Sequence, residues 1–335
     1  MRMFKNEQCY RKVYTGSVKT IHQVVPPGKT KTGSYLFSFT DDYSVFDYGK
    51  MPDRIRGKGI ALAAMTAYLF EQLENPTSWQ HLSRSPIWDR LGGRKARDVL
   101  VRTTLGRRLM TKGLSTHYKG IIDRKGRTVT TRELDTPTHL LLVEAVQVIS
   151  PEKTVLADQV VWNYSELHAR KGSYLIPLEN VFRFGIPKGS SLLDRVHTDP
   201  SYAHQLGLSP PLKEGSWLPF PILEFFTKLE PSDRYLPLES AVNFSGLKTA
   251  EFSELMQRTV LVAIFLYDLF HKRGLELWDG KLEFIKTAEG LLLADAITPD
   301  ELRLTCCDVQ LSKEPLRQYY KNEDHAFYKA IRQAK

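Results

Sequence analysis

No apolar run in the chain approaches the roughly 18 residues needed to cross a bilayer, so a membrane-spanning helix is not expected. The opening stretch MRMFKNEQCYRKVY is basic but has no apolar centre, which argues against a secretory signal. Cysteine is scarce: Cys9, Cys306 and Cys307 are the full set, two of them adjacent and none at zinc-ligand spacing. Reduced thiols in a cytoplasm are the simplest expectation. Internal repeats, low-complexity segments, a Walker loop, a Gly-x-Gly-x-x-Gly fingerprint and an RNA-binding signature are also missing. Solenoids and dinucleotide folds therefore lose their usual support.

What is present is ordinary for a globular protein: 335 residues, 42% hydrophobic and 25% charged. That length predicts one large or two moderate domains. The formal charge of +9 favours anionic partners, and much of it sits between Arg84 and Arg127. Three explanations stand open for that segment: a solvated basic face, steering of an anionic substrate, or nucleic-acid contact. Few stacking aromatics accompany it, which weighs against the last.

The first fifty residues have β character. RKVYTGSVKTIHQVV, a turn through PPGKTKTG, and SYLFSFTDDYSVFD combine β-branched and aromatic residues with Gly/Pro punctuation. GKGIALAAMTAYLFEQLEN has helical apolar spacing and stops before Pro76. GIIDRKGRTVTTREL and THLLLVEAVQVI predict two more strands, and residues 155–189 continue as strand and loop. Leu247–Gly274 is a long amphipathic helix pattern closed by basic residues and a glycine. Two charged strand-like segments follow, and the C-terminal stretch looks helical. The expected class is α+β, with a β-rich N-terminal part over 1–143 and a larger α+β part over 144–335.

WDGKLEF alternates Asp279, Lys281 and Glu283 on one face of an extended chain, and ADAITPDELRL adds Asp295, Asp300 and Arg303. Glu283 and Asp295 facing each other across a hairpin predict a Mg²⁺ site, because two bare carboxylates brought together repel. In YTGSVKTIH, Gly16 permits close backbone approach to phosphates and Lys19 can reach them. TDDYSVFD crowds Asp41, Asp42 and Asp47 beside Ser44, as an Asp-rich turn also would. Lys58 with two glycines before a helix reads as an anion site. Arg183, Lys188 and the Gly189-Ser190-Ser191 run read as a second phosphate clamp.

In motif order these stretches resemble the SAICAR synthetase (phosphoribosylaminoimidazole-succinocarboxamide synthase) family. YTGSVKTIH resembles its opening glycine hairpin, TDDYSVFD with GKG its Asp-x-x-Ser-x-x-Asp and Lys-Gly stretch, and GLSTHY its Gly-Ile-x-Thr-His segment. IPLENVFRFGIPKGSS resembles its Pro-x-Glu-x-x-x-Arg stretch, WDGKLEF its Asp-x-Lys-x-Glu-Phe strand, and ADAITPDELRL its Pro-Asp-x-x-Arg-Leu segment. The resemblance implies an α+β SAICAR synthase-like fold with a kinase-like, ATP-grasp-like nucleotide cleft. It implies a cytoplasmic ligase that joins L-aspartate to the carboxylate of the aminoimidazole ribotide CAIR, using ATP and Mg²⁺.

Carried over, Gly16 and Lys19 touch ATP phosphates, and adenine lies against Val143, Glu144 and Val146 through backbone groups. Glu283 and Asp295 hold Mg²⁺, Lys281 and Asp279 sit at the reacting centre, and Lys58, Arg183, Ser190 and Arg303 bind substrate. The chain departs from the family pattern with Ser17 for a lysine and Ala296 for a glutamate. A diverged kinase-like phosphotransferase or ligase for another carboxylate or amine is the alternative. The implied partners are small molecules rather than nucleic acid or membrane, and a homo-oligomer is left open.

Overall fold

The computed structural model describes residue 4 and residues 7–45, 49–91, 93–169, 172–209, 211–311, 314–323, 326 and 329–330. The expected N-terminal hairpin is present as β1 (Arg11–Thr15) and β2 (Lys19–Val25), and β3 (Gly33–Phe39) pairs with β2 after the PPGKTKTG turn. The chain breaks at Thr40–Asp41 instead of running on as one strand. Asp41 turns back to accept hydrogen bonds from the Gly57 and Gly59 N–H groups at 3.1 and 2.9 Å. A separate ribbon, β4 (Asp42–Val45) with β5 (Gly49–Arg54), follows.

Helix α1 (Lys58–Glu74) begins where Asp41 satisfies its first N–H groups and ends at Asn75, which caps α2 (Pro76–Ser83) by accepting from Thr77 N at 3.0 Å. Gly59 is required at the start of α1. A Cβ there would lie 2.7 Å from the Phe39 carbonyl oxygen, so only glycine lets the helix press onto β3. The basic segment folds as α3 (Ile87–Arg90), α4 (Gly93–Arg102) and α5 (Thr104–Lys112), then enters β6 (Tyr118–Ile122). Several of its charges have partners, among them Arg108 with Glu254 at 2.7 Å and Arg127 with Asp123 at 2.7 Å. With β7 (Thr128–Val129) and β8 (Leu140–Ala145) the first sheet is complete, in the order β1-β2-β3-β8-β6-β7.

An exposed hairpin, β9 (Glu152–Leu156) and β10 (Gln159–Asn163), and the short helix α6 (Ser165–Ala169) lead to β11 (Tyr174–Leu175) and β12 (Leu178–Gly185). Helices α7 (Ser191–Thr198) and α8 (Ser201–Gln205) precede β13 (Trp217–Thr227) and β14 (Tyr235–Leu236). After α9 (Leu238–Ser245) comes α10 (Thr249–His271), close to the predicted span, with Glu251 accepting from Lys248 N at 2.9 Å at its start. The two charged strands are β15 (Glu276–Thr287) and β16 (Gly290–Ala294), followed by β17 (Leu302–Cys306), β18 (Val309–Gln310) and α11 (Glu314–Asn322). The second sheet runs β14-β13-β12-β15-β17-β18, with β11 and β16 also on β15.

One continuous apolar core joins the sheets: Phe37 and Leu141 of the first share it with Phe184 and Phe284 of the second. Helix α10 buries thirteen residues, ten of them in this core. Each fully buried Leu, Ile or Phe contributes about 1.5–3 kcal/mol, which makes α10 the main apolar anchor of the C-terminal part. Among the described residues no helix is long and apolar enough to cross a membrane.

Candidate active site

Strand β15 carries the site because it is paired on both sides. Asp279 stands opposite Arg183 of β12 and opposite Arg303 of β17, and Glu283 stands opposite Ala294 of β16. Alternation along the strand sends Asp279, Lys281 and Glu283 to one face, as the sequence predicts. The other face is crowded. A Cβ on Gly280 would come within 2.6 Å of Leu302 and 2.7 Å of the Phe182 ring, so glycine between the charged residues lets the core close beneath them.

Each charged side chain on that face meets an opposite charge. Asp279 accepts from Arg183 Nη1 at 2.7 Å, with Arg303 Nε at 3.6 Å on the other side. Lys281 bonds Glu179, and Lys228 reaches Glu283 at 2.5 Å. Lys19 crosses from β2 to Asp295 at 2.5 Å, and Lys58 meets Asp300 at 2.8 Å. Asp295 lies one residue beyond the ladder partner of Glu283, where the chain has left the strand with φ +63°.

Burial and mutual repulsion set the titration of these groups. Burial first, then the neighbouring Asp295 charge, raises the Glu283 carboxyl. Burial pushes Asp295 the same way, but Lys19 and Lys228 outweigh it and hold its carboxyl well below the usual range. Glu301, half-buried near Asp295, is pushed up to about 7 by desolvation, against the pull of Lys19 and with the push of Asp295. For Lys281 and Lys19, burial favours the neutral amine, yet the surrounding carboxylates win and raise both.

Glu283 and Asp295 fit magnesium. They are hard oxygen donors, Glu283 buried and Asp295 mostly so, with the Asp295 charge near enough to raise Glu283, and magnesium takes a few carboxylates plus phosphate oxygens rather than an all-protein cage. No group of three or more His, Cys, Asp or Glu able to hold a metal occurs among the described residues.

Other expected positions lie differently. Arg183 is 5% exposed and its guanidinium is already engaged by Asp279, Glu224 and Ser191, so it braces Asp279 rather than standing free for a phosphate. Ser190 caps α7 by accepting from Leu192 N. The N–H groups at the start of α1, read as an anion site, are taken by Asp41, leaving the Lys58 ammonium as the cation there. Val143 is flanked by β3 and β6, and Glu144 gives its N–H to His117 O at 2.6 Å and its carboxylate to Lys119. Their backbone belongs to the sheet, while Val146 sits in a small apolar cluster with Ile285, Leu292 and Ala294. Gly16 lies in the β1–β2 turn, donating to Lys19 O at 2.9 Å. Asp47 lies outside the described residues.

Arg303 differs from Arg183 in having spare capacity: its Nη1 is buried and has no protein partner. An unpaired buried guanidinium nitrogen is costly, and an incoming anion would satisfy it. Lys228, Glu224 and Glu301 escaped the sequence reasoning. Lys228 sits in TKLEPSD with no periodic or motif signal, whereas Glu179 stood in the Pro-x-Glu motif and its pairing with Lys281 was within reach.

The family description SAICAR synthetase matches residues 12–334. The chain is 34% identical over 322 residues to a protein of Archaeoglobus fulgidus, covering 96% of this chain and 82% of that one. Its name provisionally assigns it as a phosphoribosylaminoimidazole-succinocarboxamide synthase. Among solved structures, the phosphoribosylaminoimidazole-succinocarboxamide synthase of Ehrlichia chaffeensis aligns with TM-score 0.56 at 19% identity, covering 96% and 97% of the two chains. A SAICAR synthetase in complex with ADP aligns with TM-score 0.55 at 23% identity, covering 96% and 95%. At these identities the two structures speak for the α+β fold.

Proposed function

The chain belongs to the SAICAR synthetase family, and from that premise we infer that it is an ATP-dependent C–N ligase of purine biosynthesis, joining L-aspartate to the carboxylate of CAIR. The observation that carries this is the charged face of β15, where buried Asp279 and Glu283 and half-buried Lys281 meet Arg183, Arg303, Lys228, Lys19 and Asp295. A carboxylate is a poor electrophile. Its oxygen takes the γ-phosphoryl group, ADP leaves, the amine of aspartate attacks the acyl carbon, and phosphate departs with the C–O bond. Three anionic substrates must share one cleft, which gives buried cations on several strands a purpose.

Within this proposal, residues 1–143 carry the ATP phosphates on Gly16 and Lys19, and adenine lies against the chain where it leaves β8 near Val146, with Val143 and Glu144 held in the sheet just before it. Residues 144–335 carry the metal and substrate groups. Glu283 and Asp295 would hold Mg²⁺, which when bound neutralises and orients the ATP phosphates. Lys281 and Asp279 lie at the reacting centre. Lys58 and Arg303 receive anionic groups of substrate, and Arg183 and Ser190 shape that subsite. A cytoplasmic setting accords with Cys9, Cys306 and Cys307 all being unbridged. Small-molecule substrates rather than nucleic acid suit a cleft whose acids are interleaved with its bases.

The test is ADP release from MgATP with CAIR, with and without L-aspartate. Release that requires both substrates is expected. MgATP binding with no aspartate-dependent release would instead mean a diverged phosphotransferase or ligase, with Ser17 and Ala296 as the first positions to revert.

A further inference from the structure

The Gly-Leu-Ser-Thr-His stretch has no part in the roles above, yet it lies at the join between the two sheets. His117 is 3% exposed and sits between the rings of Phe37 and Phe70, each edge-on, at 5.6 and 5.5 Å. Its Nε2 stands 2.9 Å from the main-chain carbonyl oxygen of Asp295. A carbonyl only accepts, so Nε2 carries the proton and donates.

The peptide it grips is unusual. Asp295 has φ +63°, a left-handed conformation that aspartate tolerates better than most side chains, and here, unlike at Asp158 and Asp308 in exposed turns, its surroundings hold it. The surroundings here are the three residues Ser115–His117. Ser115 O accepts from Leu293 N at 3.1 Å, His117 N donates to Leu293 O at 2.9 Å, and Thr116 bridges Leu293 in parallel. On the other side His117 O accepts from Glu144 N at 2.6 Å. One short segment therefore clamps the end of β16 to β8, and its imidazole holds the next peptide after the clamp.

We propose that His117 is a positioning residue for the nucleotide–metal site: its Nε2–H fixes the Asp295 carbonyl, keeps residue 295 left-handed, and so aims the carboxylate at Lys19 and toward Glu283. This rests on Asp295 being a magnesium carboxylate. Groups that orient a metal ligand from behind change metal affinity about 10–100-fold when removed. A ring that only filled the core would be replaceable by another ring.

The experiment measures Mn²⁺ affinity of the full chain in the presence of ADP by electron paramagnetic resonance, with thermal unfolding alongside. His117→Phe keeps the ring volume without the donor and is expected to weaken Mn²⁺ binding about 10–100-fold, with metal-free ADP affinity unchanged. His117→Gln keeps an N–H donor and is expected to recover most of the loss. A folded His117→Phe that binds Mn²⁺ as tightly as the unaltered protein overturns the proposal. Should that variant not fold, ¹⁵N spectra of the unaltered protein decide: a neutral ring protonated on Nδ1 instead of Nε2 overturns it. Asp295→Asn separates the two possible failures. If it leaves Mn²⁺ affinity intact, the metal role of Asp295 falls and the His117 proposal with it. If it abolishes binding while His117→Phe does not, only the His117 proposal falls.

Discussion

Along β15 two carboxylates lie almost out of water, Asp279 at 6% and Glu283 at 4% exposure. In the β9–β10 hairpin Val155 and Leu156 each stand 60% exposed, with Val160 at 50%. By composition alone the placements should be reversed. The difference lies in what each strand touches. β15 runs through the middle of an eight-stranded sheet, where Glu179 and Arg183 of β12, Arg303 of β17 and Lys228 from the bend after β13 meet its charges. Among the described residues the β9–β10 ribbon pairs with no other strand, and although Trp162 reaches the core, Val155, Val160 and Val161 face away from it. Buried charge in the one marks a site; exposed hydrophobicity in the other follows from isolation.

The largest test of that contrast is Glu283→Gln. It removes one of the two carboxylates that would face the metal while keeping the shape, so turnover should drop about 10²–10³-fold or more, with the thermal midpoint little changed. Unaltered steady-state turnover would end the metal role. Glu224→Ala acts on the support behind the strand. Glu224 is 1% exposed and binds Arg183, Arg195 at 2.5 Å and Tyr202. Its loss takes away the carboxylate partner of Arg195 and leaves Arg183 with Asp279 alone, and should cost about 3–5 kcal/mol in denaturant unfolding. A cost under about 1 kcal/mol would show the network to be ornamental to the fold.

A smaller effect is expected from Glu301, and it depends on pH. Its folded carboxyl is raised to about 7 from an ordinary 4.5. The unfolded chain therefore ionises this group first, and stability is lost as pH rises between those values. Glu301→Gln removes that loss. Its stability relative to the unaltered protein should climb from pH 4.5 to pH 7 by on the order of 3 kcal/mol, measured by chemical denaturation across that range. A pH-independent difference would mean that Glu301 stays ionised when folded. The smallest change belongs to the hairpin: Val155→Thr should alter stability by about 0.5 kcal/mol or less. A loss above about 1 kcal/mol in the same assay would reveal a partner covering that surface.

Much of the secondary structure was legible locally. Helix α1 stops before Pro76 and α10 before Gly274 because proline and a left-handed glycine end helices wherever they stand. The break after β3 was not legible, because Asp41 leaves the strand to cap a helix sixteen positions later. The site was half legible. Asp279, Lys281 and Glu283 announce themselves by alternation, since strand geometry has a period of two. Arg183 could be read as cationic, but its engagement by a buried carboxylate could not. Its partner Glu224 arrives from β13, and nothing in either stretch announces the other.

By itself, then, the sequence determined which residues carry charge, which strand displays them on one face, where helices α1 and α10 run, and the family to which the motifs point. These are short-range properties, set by backbone period, capping and side-chain type within a few positions. Only the tertiary structure decided which charges pair: Lys19 with Asp295, Lys228 with Glu283, and His117 behind the Asp295 peptide. Those contacts join residues up to 276 positions apart. Their existence depends on how two sheets close on one core, which no local pattern encodes.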